Sequence, residues 1–312
     1  MNDDFEKTLV KKDIKEVLGQ EEVKKQLKSA ILMRRHVILV GPPGIGKTTL
    51  VKGFANILPD VTTEGENKKV KAPFIRVQGS PDLTAEDLIG DIDPVKALKH
   101  GATSQEAFIP GKIFKADKGI LFFDEVNRCS EKLQNTLLQV LEEGRVTIGS
   151  YDIDFDADFI FIGTMNPEEA STEPLSDVFL DRFDLIYMKP PETLDIEREI
   201  IKKHGKKLAE FPDELLTKTI QFIRLLRNSN DLEKHPSVRA TLGIYERSQS
   251  NAYLNNNKSV DAKDILDAMI SVLSHRIRLK PSLKYMKSTN EFLKEEFNEY
   301  FKDEISISGQ GP

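Results

Sequence analysis

Apolar positions along the chain fall into two rhythms. In the first part they gather in five short runs: His36 to Val40, Pro73 to Val77, Gly119 to Phe123, Asp158 to Gly163 and Leu185 to Met188. Each is too short for a helix, is bounded by polar or turn residues, and stands far enough from the next for a helical crossover. They predict buried strands of one parallel sheet. Ahead of them Val23, Leu27, Ala30 and Ile31 recur at helical spacing and predict an amphipathic helix from Asp13 to about Met33. Two segments break this α/β pattern. Asp91 to Lys115 follows a short predicted helix, Ala85 to Ile89, and reads as an insertion carrying Gly101, Pro110 and Gly111. Arg145 to Ile148 and Tyr151 to Phe155 alternate apolar and polar residues on either side of Gly149-Ser150, the pattern of a hairpin.

At Lys189-Pro190-Pro191 two prolines stop the preceding element, and only helical periodicities follow, such as Val238, Leu242 and Tyr245. The pattern therefore predicts an α/β domain over 1–189, an all-helical domain over 190–285, and a polar tail over 286–312 that is frayed from Ser306 to Pro312. No internal repeat is visible.

Composition narrows the class. In 312 residues, 39% are apolar and 31% charged, enough for two real cores under a charged surface. No apolar run approaches the roughly 18 residues of a membrane span, and Met1-Asn2-Asp3-Asp4 opens a charged stretch through Lys15 unlike a secretory signal. The reading is an unexported, cytoplasmic protein. The single cysteine, Cys129, excludes an internal disulfide and a cysteine-based metal site; it reads as a small half-buried residue rather than a redox switch. A net charge of -6 counts against a protein whose main partner is nucleic acid.

The chemistry is carried by two motifs. Gly41-Pro42-Pro43-Gly44-Ile45-Gly46-Lys47-Thr48 fits GxxxxGK[ST] between a predicted strand and a predicted helix, Thr48 to about Leu58. In that setting backbone N–H groups and the helix N-terminus converge on phosphate oxygens. Gly44 and Gly46 allow close backbone approach, Lys47 reaches the β- and γ-phosphates, and Thr48 offers a hydroxyl to Mg²⁺. The second motif is Ile120-Leu121-Phe122-Phe123-Asp124-Glu125, an apolar strand ending in two acids, the Walker B pattern. Asp124 is placed to hold the metal, usually through water, and Glu125 to orient and deprotonate an attacking water. Together the motifs make ATP and Mg²⁺ the expected cofactors.

These residues resemble the AAA+ ATPases, specifically the group of MoxR proteins and magnesium-chelatase ATPase subunits. The resemblance covers most of Val17 to Lys280 and runs in order through Val17-Leu18-Gly19-Gln20, the phosphate loop extended to Thr49, and Phe108-Ile109-Pro110-Gly111. It continues through Asp124-Glu125-Val126-Asn127-Arg128, Leu141-Glu142-Glu143-Gly144-Arg145-Val146-Thr147-Ile148, Gly163-Thr164-Met165-Asn166-Pro167 and Leu180-Asp181-Arg182-Phe183-Asp184. It implies a five-stranded parallel P-loop sheet with a helix-2 insertion and a pre-sensor hairpin, followed by a helical lid. The two extra segments match those places, as candidate substrate contacts or as sheet cover and subunit contacts.

By resemblance, the nucleotide is held by Leu18, Gly19, Gly41, Pro43, Gly44, Ile45, Gly46, Lys47, Thr48, Thr49 and Asp124, with Thr48 and Asp124 on the metal. Asn166 is the sensor that helps position the attacking water beside Glu125; its other reading is a strand-end turn residue. Arg182 is the arginine finger that reaches a neighbouring subunit's γ-phosphate, or else an ordinary ion pair with Asp181 or Asp184. Arg239, in the first turn of a helix opened by Pro236-Ser237, is a second sensor reaching ATP from the lid, or a surface arginine. His235 stands where the family more often has a small residue. Arg145 and Arg128 are solvated or structural, or act across a subunit interface. The implied function is ATP hydrolysis in a hexameric ring that remodels or metal-loads a client protein, working with a separate von Willebrand-type adaptor. The alternatives are an authentic magnesium-chelatase subunit, a DNA translocase, and a nucleotide-gated scaffold.

Overall fold

The computed structural model describes residues 8–58, 60–62, 69–101, 104–147, 154–167 and 175–304. The chain divides into two compact units, 1–42 with 46–188 and 43–45 with 189–312, so the main division falls between Met188 and Lys189.

The first unit is built on β1 (His36–Val40), β2 (Phe74–Gln78), β3 (Ile120–Asp124), β4 (Ile160–Met165) and β5 (Phe183–Tyr187). Their order is β5-β1-β4-β3-β2 and every pairing is parallel. All the predicted strands form, with ends shifted by a residue or two. The expectation that all are buried needs correction. β3 is buried throughout and β1 and β4 nearly so, but β2 is an edge strand whose Arg76 and Gln78 are exposed, and β5 at the other edge is only partly covered. Crossover helices cover the middle of a parallel sheet better than its margins. Aromatic packing ties the strands together: Phe161 lies 5.7 Å from Phe123 on β3 and 5.1 Å from Phe183 on β5.

The first amphipathic helix, α1 (Glu21–Leu32), buries Val23, Leu27, Ala30 and Ile31 as its spacing requires. It starts well after Asp13 because Gly19 (φ 67°) and Gln20 (φ 60°) are left-handed, a conformation a helix cannot pass through. Helix α2 (Lys47–Ile57) follows β1, and α3 (Glu131–Glu143) follows β3. In the insertion, Gly90–Ile92 pairs antiparallel with Phe108–Pro110 and brackets a short helix, Pro94–His100, whose N-cap Asp93 accepts from the N–H groups of Val95 and Lys96. In the hairpin, Arg145–Thr147 pairs antiparallel with Asp154–Asp156; the predicted Gly149-Ser150 turn lies outside the described residues.

The second unit packs α4 (Leu194–His204), α5 (Asp213–Arg227), α6 (Val238–Leu254), α7 (Ala262–Leu273) and α8 (Thr289–Tyr300). It is mainly helical, and also carries a two-stranded ladder of Leu232–Lys234 with Arg278–Leu279. The predicted polar tail from residue 286 is also corrected. Ser288 opens α8 with a capping box, and Leu293, Phe297 and Phe301, at i, i+4 and i+8, are fully buried beside Phe222. The frayed end expected at Ser306 to Pro312 lies outside the described residues. A buried acid organises the other side of this unit. Glu197 on α4 accepts hydrogen bonds from Arg224 and Arg227 on α5 and from Thr241 on α6.

Candidate active site

The phosphate loop leaves β1 at Val40, and Gly41 donates its N–H to Met165 O at 3.1 Å, fixing the start of the loop against β4. Gly44 (φ 78°) and Gly46 (φ 96°) are left-handed, which a side chain would resist. Gly46 caps α2, so the first N–H groups of that helix have no partner within it and are available to an anion. The Lys47 ammonium lies over the loop, 2.5 Å from Gly41 O and 2.9 Å from Pro42 O. Thr48 is half-buried, Thr49 and Pro43 are exposed, and Ile45 is buried. Leu18 and Gly19 precede α1, just after a segment that packs on α2, where Glu16 accepts from Asn56 at 3.1 Å.

Both acids stand at the carboxyl end of β3. Asp124 is 8% exposed. Its Oδ1 accepts from Thr164 Oγ1 at 2.6 Å, its Oδ2 accepts from an Arg76 nitrogen at 2.7 Å, and Thr48 Oγ1 is 3.3 Å from Oδ2 and 3.5 Å from Oδ1. Hydroxyl and carboxylate oxygens at that separation suit a hard divalent cation, whose neighbouring ligands at octahedral Mg²⁺ distances are roughly 3 Å apart. Among the described residues no cluster of three or more His, Cys, Asp or Glu could hold a metal by itself. Glu125 turns the chain out of β3 in the left-handed region, φ 59° and ψ 54°, and donates its N–H to Thr164 Oγ1 at 2.9 Å. Its Oε2 accepts from Gln78 Nε2 at 2.9 Å, and Arg128 Nε lies 3.2 Å from the same oxygen. Cys129, expected half-buried, is fully buried, and burial raises its thiol to about 11, so it is not a reactive thiolate at neutral pH.

Asn166 follows β4, and β4 lies between β1 and β3, hence between the strands that lead to Lys47 and Glu125. Its carbonyl accepts from Asn127 Nδ2 at 3.2 Å. Arg182 is at the other end of the sheet. It immediately precedes β5, where Phe183 is in register with His36 at the start of β1, whereas the phosphate loop follows the end of β1. A five-residue strand spans roughly 13 Å, so Arg182 stands about a strand's length from its own chain's phosphate loop. Its guanidinium, 40% exposed, pairs with Glu142 and, at 3.6 Å, with Asp181. Asp184, the other expected partner, instead holds Arg35, with its closest contact at 2.7 Å. Arg239 is exposed in the first turn of α6, in the second unit, and His235 beside it hydrogen-bonds Ser229 O at 3.2 Å.

Residues 13–194 match the family model described as magnesium chelatase, subunit ChlI, and 226–296 match the AAA lid domain. The chain belongs to the magnesium-chelatase ChlI family. Within this family of AAA+ ATPases it is 29% identical to a ChlI homolog of Methanocaldococcus jannaschii, over 85% of each chain. It is 26% identical to the chaperone MoxR1 of Mycobacterium tuberculosis, over 84% of this chain and 73% of the relative. The Thermotoga maritima RuvB branch-migration motor, 20% identical, shares the fold with a TM-score of 0.51 over 86% of this chain and 74% of that one.

Three side chains at the acids of this ChlI-family site escaped sequence reasoning: Arg76, Gln78 and Thr164. Their signal was present. Arg76 and Gln78 alternate with apolar residues in Phe74-Ile75-Arg76-Val77-Gln78, so they share one face of an edge strand, and Thr164 interrupts an otherwise apolar strand. Gly79 belongs with them. Its N–H donates to Asp124 O at 2.7 Å, and a Cβ there would collide with the Glu125 carbonyl.

Proposed function

We propose that the chain hydrolyses Mg-ATP as one subunit of a hexameric ring, each site being completed by the Arg182 of a neighbouring copy, and that hydrolysis remodels or metal-loads a client protein. The observation that carries this reading is the division of the site residues between the two ends of the sheet. Lys47, Thr48, Asp124, Glu125 and Asn166 follow the carboxyl ends of β1, β3 and β4, while Arg182 precedes β5, out of reach of its own phosphate loop. An arginine held by solvent-exposed ion pairs gives them up at small cost, so Arg182 is free to serve a second copy.

Lys47 and the N–H groups of α2 bind and orient the triphosphate. Thr48 and Asp124 would hold the magnesium, which would supply charge neutralisation to the triphosphate. Glu125 takes a proton from the attacking water, which Asn166 helps to orient, and Arg239 is assigned the second-sensor role from the lid. The partners are further copies of the chain, a protein client and a von Willebrand-type adaptor, in the cytoplasm. Among the described residues no helix is long and apolar enough to cross a membrane. A second reading, service in a magnesium chelatase itself, is favoured by the family match over 13–194 and is tested by adding the chain to the other chelatase subunits and following magnesium insertion.

Mixing tests the shared site. Glu125→Gln and Arg182→Ala should each be nearly inactive alone, yet random mixed rings regain about a quarter of wild-type turnover, because one interface in four then joins an intact Glu125 to an intact Arg182. Mixed rings of demonstrated assembly that stay inactive would refute completion in trans.

A further inference from the structure

The two oxygens of the Asp124 carboxylate are held by partners of different kinds. Oδ1 is held by Thr164, a fully buried neutral hydroxyl that is itself fixed by accepting the Glu125 N–H. Oδ2 is held by Arg76, a cation on the sheet edge whose side chain is 45% exposed. Oδ2 is also the oxygen nearer to Thr48 Oγ1, the other ligand assigned to the metal. A guanidinium and a divalent cation on one carboxylate oxygen repel each other, so each weakens the other's hold on it.

We propose that Arg76 competes with the divalent cation for Asp124, so that the Arg76–Asp124 ion pair opens when the cation is held. The proposal rests on the assignment of Thr48 and Asp124 as the metal-binding pair. Thr164 keeps the carboxylate oriented whichever cation it faces. The displaced guanidinium has a second partner in place, because the same Arg76 nitrogen lies 3.2 Å from Gln78 Oε1. Gln78 in turn donates from Nε2 to Glu125, so a connected path runs Asp124–Arg76–Gln78–Glu125. Arg76 thereby acts as a positioning residue that tells one acid whether the other has exchanged its counter-ion.

The test is equilibrium binding of a fluorescent ADP analogue to the full chain, first in EDTA and then across a series of free Mg²⁺ concentrations. In Arg76→Met, and independently in Arg76→Gln, the Mg²⁺ concentration for half the effect should fall about two- to fivefold, the range of a half-exposed ion pair. Affinity in EDTA should stay within about twofold of wild type, and Arg76→Lys should behave nearly as wild type. An unchanged or raised Mg²⁺ requirement in both neutral variants, with unchanged melting, overturns the proposal. So does a large loss of affinity in EDTA, which would make Arg76 a phosphate ligand. Asp124→Asn separates the underlying assignment: Mg²⁺ enhancement that survives it removes Asp124 from the metal site, whereas its loss together with an unchanged Arg76→Met response overturns only the competition.

Discussion

Removing the Glu197 carboxylate should destabilise the second unit far more than any exposed ion pair could. The side chain is 0% exposed and accepts from Arg224 at 3.1 Å, from Arg227 at 3.0 and 2.9 Å, and from Thr241 at 2.8 Å. Arg227, whose side chain is only 10% exposed, also donates to Pro236 O at 2.9 Å, just ahead of α6, and Arg224 donates to the carbonyls of Pro191 and Glu192 at the entry to the unit. In Glu197→Ala the two guanidiniums keep those carbonyls but lose their counter-ion, leaving like charges together in a largely buried site. Breaking a buried pair in this way costs about 3 kcal/mol or more. For a unit of this size that is a fall of roughly 10 °C in melting temperature. The chain has no tryptophan, so circular dichroism is the assay, with the helical transition followed separately if the units melt apart. Acidity gives a second signature. Burial by itself would raise the Glu197 pKa, but the bond and charge of Arg227, with Thr241 and Arg224, outweigh it and hold the carboxyl below its ordinary value. A depressed folded pKa means stability that is present above the ordinary glutamate value and is lost as pH falls through the lower one. The gap between wild type and Glu197→Gln should therefore be full near neutrality and close below about pH 4. A Glu197→Ala protein melting within about 2 °C of wild type, or a gap that widens on acidification, would refute the reasoning.

The site itself yields sharper contrasts. Lys47→Ala should lose nucleotide binding, whereas Glu125→Gln should keep it and lose turnover by about 10²- to 10⁴-fold, as read by fluorescent-nucleotide titration beside a phosphate-release assay; appreciable turnover in Glu125→Gln removes that residue as the base. Gly79→Ala drives a Cβ into the Glu125 carbonyl, so it should cut turnover at least about tenfold by displacing the acid, and wild-type kinetics in that variant would show that the contact is not constraining. His36 is held at about 4 by burial and by the charges of Arg34 and Arg35, and its Nδ1 accepts the Phe161 N–H at 3.1 Å. The unfolded chain therefore takes up a proton between roughly pH 6.5 and 4 that the folded one does not, a loss of up to about 3 kcal/mol on acidification. Denaturant midpoints for His36→Gln should show a flatter slope across that window, and an unchanged slope would exclude the histidine as the cause.

The sheet was legible because a strand buried on both faces must be apolar at nearly every position, as Val37 to Val40 and Ile120 to Phe123 are. The phosphate loop and the two acids were legible because they are contiguous and chemically unusual. What escaped notice depended on pairing between distant segments. Nothing near Arg76 announces Asp124, 48 residues away, as its partner; only the β2–β3 register joins them. The end of the second unit was misread for another reason. Leu293, Phe297 and Phe301 lie among glutamates, lysines and asparagines, so average polarity concealed a helical stripe that the spacing carries. Resemblance singled out Arg182 as a candidate, but its distance from its own phosphate loop needed the pairing of Phe183 with His36.

The β2–β3 register decides which side chains reach the acids. Among the described residues β2 is an edge strand paired only with β3, and a parallel pair with one covered flank is the part of a sheet most able to slip. Backbone contact opposes slippage at both ends. At the start, Gly119 lies so close to the Pro73 carbonyl that a Cβ would collide with it, and Ile120 donates to the same oxygen at 2.8 Å. At the finish, Gly79 approaches the Glu125 carbonyl just as closely and bonds Asp124 O. Between these contacts Gln78 is opposite Asp124 and Arg76 opposite Phe122. A slip of one residue would turn Arg76 and Gln78 to the opposite face, and a slip of two would offer the wrong side chain to each acid. The glycines thus bear on the two acids through the register: by allowing the two backbones to meet at both ends, they bring a cation to Asp124 and an amide to Glu125.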